Sequence, residues 1–454
     1  MEYPFSDYHV ALIRNNLGYV YYQTGKLEEA YRQYRIAEEL AAATDQRTID
    51  LKISIYINQA NYYKSLGDYA HSLQFNNEAY RLLYLISEWD ALSYSKLSIL
   101  LLNKGITLYH LERYEEALGI LKECEQIKKS RNHPYLGSVY FNLARVYQRL
   151  GDNDASFENY GRSIDQWISE YDSSYYELAN IYLHFGQFLT AHGHSQEGFE
   201  YLNRALENYQ SNYGVRHPLT AACFESLSRY KLDAGDWEDA LDYLQLALGS
   251  MVGDFHSKKS MVNPEIISSS HDLTFLKILA TKAVALERAS GDFTETHEKT
   301  EYLKAALATN HLAIEVLDQI QKPFLSAESR IQLNAQQKGL FATGIRLNLD
   351  LSDITGSETY KEEAFLMAAK GKSRELLYEM NQKEWLYLES LSDTVALTAT
   401  ELKQQSNHLA NLIQIENLRR NPDATRLLDL QNQLFQTNDS FTKQVEQLYT
   451  EFPE

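Results

Sequence analysis

The stretch Leu17-Gly-Tyr-Val-Tyr-Tyr-Gln-Thr-Gly-Lys-Leu-Glu-Glu-Ala-Tyr-Arg-Gln-Tyr-Arg-Ile-Ala37 decides the fold, because its frame returns down the chain. Around the central Gly25, a small residue (Gly18) precedes Tyr21, and Ala30, Tyr34 and Ala37 follow. The same offsets give Ala60, Tyr63, Gly67, Ser72, Asn76 and Ala79, then Gly105, Leu108, Glu112, Ala117, Leu121 and Cys124. They recur with Ala144, Gly151, Ser156 and Tyr160, with Gly186, Gly193, Gly198 and Leu202, and with Ser228, Gly235, Ala240 and Leu244. Small residues at fixed places let two helices approach closely, and the bulky ones fill the space between them. A Gly at the end of each first helix permits the left-handed backbone that closes it. In the third unit that place is taken by Glu112.

Six units in one phase predict an all-α, right-handed superhelical solenoid of stacked helix pairs. The pattern resembles the tetratricopeptide repeat, whose usual period is about 34 residues. Here equivalent positions 16, 58, 103, 142, 184 and 226 lie 39 to 45 residues apart. That longer period, with His133-Pro134 and His217-Pro218 opening two first helices, resembles the kinesin light chain type of repeat. The reading divides the chain into regular repeats over 1–250, a loop and two degenerate repeats over 251–385, and a helical hairpin or coiled-coil connector over 386–454. The loop 251–272 is long for a compact fold and therefore a candidate for function. In the hairpin, spaced apolar residues (Leu402, Leu409, Leu412, then Leu427, Leu430, Leu434, Phe441) point to two antiparallel helices.

Composition narrows the function. A formal charge of −19 argues against nucleic acid or an anionic membrane as the main partner, since both reward basic faces. No run is long and apolar enough to span a bilayer. The opening Met1-Glu-Tyr-Pro-Phe-Ser-Asp7 lacks a basic segment followed by an apolar one, so no secretory signal is read. Two cysteines, Cys124 and Cys223, suit a reducing compartment, and a cytoplasmic location is expected.

Further along, Glu363-Ala-Phe-Leu-Met-Ala-Ala-Lys-Gly-Lys-Ser-Arg-Glu-Leu-Leu-Tyr-Glu-Met380 resembles the last repeat helix of bacterial proteins that join tetratricopeptide repeats to a CHAT domain. The segment Asn263-Pro264 followed by Leu276-Lys-Ile-Leu-Ala-Thr-Lys-Ala283 is similar to that family's bridge between regular and degenerate repeats. The resemblance implies a caspase-like protease module as partner, in the same or a partner chain. In the family that module would begin just after Glu454, where this sequence stops, so no protease activity is carried onto residues of this chain.

Chemistry within the chain is sparse. His192 and Cys223 superficially evoke a protease dyad, but Gly193 is a repeat turn and Cys223 lies inside a first helix. His192, His194 and Glu197 share one turn without further ligands at supporting spacing, so no metal site is expected. No phosphate-binding Gly loop or nucleophile elbow is present, so neither cofactor nor enzyme activity is expected. The many Tyr residues are read as core.

A sharper constellation is Asn16, Asn58, Asn103 and Asn142, each two residues before the small residue of a first helix. Asn is a mediocre residue for a helix interior, so four in phase need a reason. Their amides can match the N–H and C=O of an extended peptide, and the row resembles the asparagine ladders of kinesin light chains and the O-GlcNAc transferase repeat region. The ladder then lapses into His184, Ser226 and Lys282. One turn on lie Tyr19, Asn61, Arg145 and Arg229, and beyond them Arg149, with the arginines positioned for an acidic group on the ligand. The function expected is protein or peptide binding in the concave groove, as the sensing or regulatory arm of a CHAT protease. The alternatives are the sensor region of a histidine kinase or transcription regulator, or a stand-alone interaction scaffold.

Overall fold

A computed structural model describes residues 6–372 apart from 24–25, 42–45, 87–88, 132–134, 173–174, 266–272 and 322–337, together with scattered residues between 398 and 444. Gly25, His133-Pro134, residues 373–385 and most of 386–454 therefore lie outside the described residues.

Among the described residues, the first of two compact units holds fifteen helices besides the helical segment 358–372. In chain order they are α1 (Asp7–Gln23), α2 (Leu27–Leu40), α3 (Gln46–Leu66), α4 (Tyr69–Leu83), α5 (Ala91–His110), α6 (Tyr114–Ser130), α7 (Leu136–Leu150) and α8 (Asn153–Glu170). Then come α9 (Tyr176–Ala191), α10 (Ser195–Tyr213), α11 (Pro218–Asp233), α12 (Trp237–Met251), α13 (Leu273–Ser290), α14 (Thr296–Gln321) and α15 (Lys338–Thr355). Residues 358–372 are also helical. Among the described residues there is no strand. The chain is thus the all-α solenoid that the repeat frame predicts.

Each odd-numbered helix from α1 to α13 packs on the even-numbered one after it, and successive odd helices also touch, as α3 with α5 and α9 with α11. The cause is visible at the small positions. A Cβ on Gly186 of α9 would come within 2.9 Å of the Gly198 carbonyl oxygen, and one on Gly198 within 2.8 Å of the Gly186 carbonyl oxygen. Two backbones therefore meet where neither can carry a side chain. A Cβ on Gly18 or Gly105 would fall 2.6 Å from the ring of Tyr34 or the side chain of Leu121. Tyr34, Leu121, Tyr160 and Leu202, the bulky members of the frame, are almost wholly buried.

The turns also follow the frame. Gly67, Gly151, Gly193 and Gly235 adopt φ of 81, 82, 87 and 82°. Glu112, at the same place, is held at φ 60°, where an L residue carries backbone strain. Three second helices, α4, α8 and α12, begin on Asp caps: Asp68, Asp152 and Asp236 accept from the backbone N–H groups of His71, Ala155 and Asp239. These bonds satisfy donors that a helix start leaves open.

In the second unit, Ser406 Oγ donates to Asn438 Oδ1, and Lys403 Nζ sits 5.3 Å from the centre of the Phe441 ring. Moving three residues back on one side moves three forward on the other, the register of antiparallel helices. Leu409, Leu430 and Phe441 are buried there.

Candidate functional site

Four successive first helices, α5, α7, α9 and α11, enclose a cavity of about 710 Å³. Their last turns supply its wall: Tyr109 and His110 from α5, Arg145 and Arg149 from α7, His184 and Gln187 from α9, Ser226 and Arg229 from α11. Residues one and two turns apart on each helix share a face, so four helices in parallel register present one continuous lining. Glu112 and Asp233 are its acidic members.

Arg145 is central. Its guanidinium lies 4.2 Å from the centre of the Tyr109 ring and 5.5 Å from that of Phe141. One NH1 proton goes to Asn142 Oδ1 at 3.4 Å. Its Nε is buried with no hydrogen-bond partner, an arrangement that costs free energy unless something fills it. Arg149 Nε donates to the Tyr109 hydroxyl at 3.3 Å. Among the described residues, Arg145, Arg149 and Arg229 form no ion pair.

The titrating groups around these cations register their field. Burial and the nearby charges of Arg145, Lys64 and Arg149 push His110 down to about 3. Burial, then Arg145, Lys277 and His110, push His184 well below the ordinary histidine range. Both imidazoles are therefore neutral at pH 7. At Tyr109 burial pushes the phenol up, but Arg145 and Arg149 outweigh it and the pKa falls. Charge and hydrogen bonds from the two arginines together outweigh burial there, within a chain of formal charge −19.

The structure gathers three of the residues read from sequence, Arg145, Arg149 and Arg229, into this one cavity. His184 and Ser226 line it too, and Gln187 Nε2 donates to Ser226 Oγ at 2.7 Å. The asparagines are engaged elsewhere. Asn16 is exposed, and Asn58 Nδ2 donates instead to the neighbouring Asn15 Oδ1 at 3.0 Å. Asn103 is buried and accepts from Lys64 Nζ at 3.1 Å. Asn142 donates back to the Ser138 carbonyl at 2.8 Å while accepting from Arg145. Asn61 Oδ1 accepts from Lys64 at 2.9 Å, and Tyr19 is half exposed outside the cavity.

Beyond the lapse of the ladder, Lys282 leaves the groove face. The groove phase in α13 falls on Thr281, whose hydroxyl donates to Glu225 of α11 at 2.8 Å. Lys282 turns the other way and is fully buried, donating to Gln245 Oε1, the Val262 carbonyl and Asn263 Oδ1 at 3.0, 2.7 and 2.9 Å. Gln245 Nε2 in turn donates to the carbonyls of Ser257, Lys259 and Val262. The described part of the 251–272 loop is thus pinned by its own backbone. The long period hid this, because the insertion ahead of α13 shifts the phase by one residue.

Not all the aromatic residues are core. Tyr135, Tyr171, Tyr176 and Tyr213 are each at least 40% exposed, along the edge where second helices hand over to first ones. As for the superficial dyad, Cys223 is fully buried and burial pushes its thiol up, the opposite of an activated thiolate. His192 Nδ1 lies 2.7 Å from the Phe188 carbonyl oxygen. Among the described residues no helix is long and apolar enough to cross a membrane.

Comparison with known proteins agrees with the repeat frame. Tetratricopeptide repeat family models match residues 10–37, 96–169 and 171–250. These segments are tetratricopeptide repeats. No curated protein matches the chain. Among solved structures, BtubC (BKLC) from P. vanneervenii is similar at 15% identity over 60% of this chain and 92% of its own, with a TM-score of 0.40. NprR in complex with its cognate peptide NprX is 14% identical over 96% and 97%, with a TM-score of 0.47. A Rap protein complexed with competence and sporulation factor is 13% identical over 82% and 99%, with a TM-score of 0.46. At this level of similarity none of them bears on what this chain binds.

Proposed function

We propose that the chain is a protein- or peptide-binding repeat scaffold, and that the cavity over α5, α7, α9 and α11 receives an acidic group of the bound segment. The observation that carries the reading is the buried, unpartnered Nε of Arg145 in a cavity whose three arginines lack carboxylate partners among the described residues. Arg145, Arg149 and Arg229 supply directional donors for an anion. The asparagines act mainly behind them: Asn142 steadies Arg145, and Asn58 and Asn103 tie neighbouring first helices together. Asn16, Tyr19 and Asn61 extend the same wall toward the N-terminal repeats.

Selection of a displayed random peptide library against the wild type and against an Arg145→Ala/Arg149→Ala/Arg229→Ala variant tests this. Acidic peptides should be enriched only by the wild type. Equal enrichment by a folded triple variant would remove the cavity from recognition.

A finer reading is that the groove is the sensing arm of a caspase-like CHAT module, in the same or a partner chain. Its support is the 363–380 motif, together with Phe365 and Leu366, which are 74% and 64% exposed on the helix that begins it. Peptide cleavage by such a module should change when this chain and a groove ligand are added. A Phe365→Ser/Leu366→Ser variant should abolish the change, and cleavage indifferent to the chain would sink the reading.

A further inference from the structure

The cavity specifies its ligand more closely than an acidic segment. Resting on the groove reading above, we infer that it is a receptor for a compact dianion of the phosphate monoester class, lined by Arg145 and Arg149 from α7 and Arg229 from α11.

Three features separate a dianion from a lone carboxylate. First, three arginines line the cavity, with only Glu112 and Asp233 as acidic lining among the described residues. Asp233 lies 3.9 Å from Arg288, outside that lining, so three guanidinium groups face Glu112 with an excess of two positive charges that a single carboxylate would only halve. Second, Arg145 is fixed before any ligand arrives. It stacks on Tyr109 and Phe141, holds Asn142 with NH1, and leaves its buried Nε–H without a partner. The fork is preorganised, so little rotamer entropy is lost on binding. Third, the imidazoles are uncharged and the Tyr109 phenol is drawn down despite burial, so the lining keeps a net positive field. A field of that kind favours two negative charges over one roughly in proportion to charge.

The phosphate can come from two sources, a phosphorylated side chain on a partner or a free phosphorylated metabolite. The volume of about 710 Å³ is ample for either.

Calorimetry separates the cases. Phenyl phosphate and benzoate share a ring and differ in the anion. Phenyl phosphate should bind the wild-type chain at least tenfold more tightly, and Arg145→Met and Arg229→Met should each reduce that affinity at least tenfold. Arg145→Lys should recover part of the loss. Circular dichroism and thermal melts confirm that each variant is folded. Equal affinity for the two compounds, or phosphate binding indifferent to both arginine variants, would overturn the inference.

Random peptides centred on phosphoserine, serine or glutamate form the second arm. Preference for the phosphoserine set over free O-phosphoserine assigns the source to a partner chain; the reverse assigns it to a metabolite. If glutamate and phosphoserine peptides bind alike and both depend on Arg145, the groove reading stands and the phosphate inference falls. If phenyl phosphate binds but no peptide does, the phosphate site stands and the peptide reading falls.

Discussion

Lys282 and Arg145 are both cations on first helices, the first fully buried and the second partly so, and among the described residues neither meets a carboxylate, yet their surroundings are opposite. The Lys282 ammonium has three protons and three acceptors, all supplied by Gln245 and the loop residues Val262 and Asn263. Arg145 donates to Asn142 but keeps a buried Nε with no acceptor. A saturated cation is a clamp, because removing it strands its acceptors. An unsaturated cation held in place by stacking is a receptor. The solenoid uses the same kind of residue for architecture at one repeat and for recognition at others, and the count of partners tells them apart.

The sharpest way to break this comparison is Lys282→Met, which keeps the volume and removes all three donors. We expect a loss of about 2 kcal/mol in urea unfolding, since stranding the buried Gln245 Oε1 costs about 1–3 kcal/mol, while the Val262 carbonyl and Asn263 Oδ1 keep donors in Gln245 and Thr309. Residues 253–264 should also become cleavable in limited proteolysis. A loss below about 1 kcal/mol would mean that Lys282 is not the clamp.

The same residue makes a pH prediction. Burial pushes the Lys282 amine down to about 7, whereas in the unfolded chain it titrates near 10.4. Between those values the unfolded state binds more protons, so stability rises with pH from about 7 to 9, by at most about 1.4 kcal/mol per unit. Lys64, pushed down to about 8 by burial, acts in the same direction. The rise should therefore be shallower in Lys282→Met, not absent, when urea midpoints are compared at pH 7, 8 and 9. Parallel profiles would count against a buried charge at Lys282.

On the receptor side, Glu112→Gly should stabilise the chain by about 1 kcal/mol, by relieving a left-handed residue that glycine tolerates. Because Glu112 also lines the cavity, the variant should bind phenyl phosphate more tightly than the wild type. A thermal melt and a titration on one sample check both.

The smallest effect is expected for Arg145→Met in the absence of ligand. An unsatisfied donor leaves along with a stacking contact, so unfolding free energy should shift by only about 0.5 kcal/mol. A loss above about 2 kcal/mol would make Arg145 a structural residue like Lys282.

The helix pairs were legible in the sequence because close approach of two helices leaves little choice of residue. Gly186 and Gly198 admit no Cβ, and the turn glycines mark the frame directly. The arginines were legible as basic points at groove offsets. The state of the asparagines was not, since one amide can face a ligand, a neighbouring helix or its own preceding turn with the same spacing. Asn142 does the last and Asn58 the second. Nor could sequence reveal the partners of Lys282. They come from Gln245 on α12 and from a loop whose length carries no periodic signal.

The cavity takes its lining a few residues at a time from four consecutive repeats, and this has a mechanical consequence. The distance from Tyr109 to Arg229 is set by no single element; it is the sum of three inter-repeat steps, each a compliant interface between neighbours. Stretching or coiling the array changes that sum, so affinity at the cavity is a measure of pitch, and an occupied cavity is a tie that stiffens the repeats it spans. Tension applied between positions 109 and 229 in an optical trap should accelerate ligand release. Tension confined to α1–α4 should leave release unchanged.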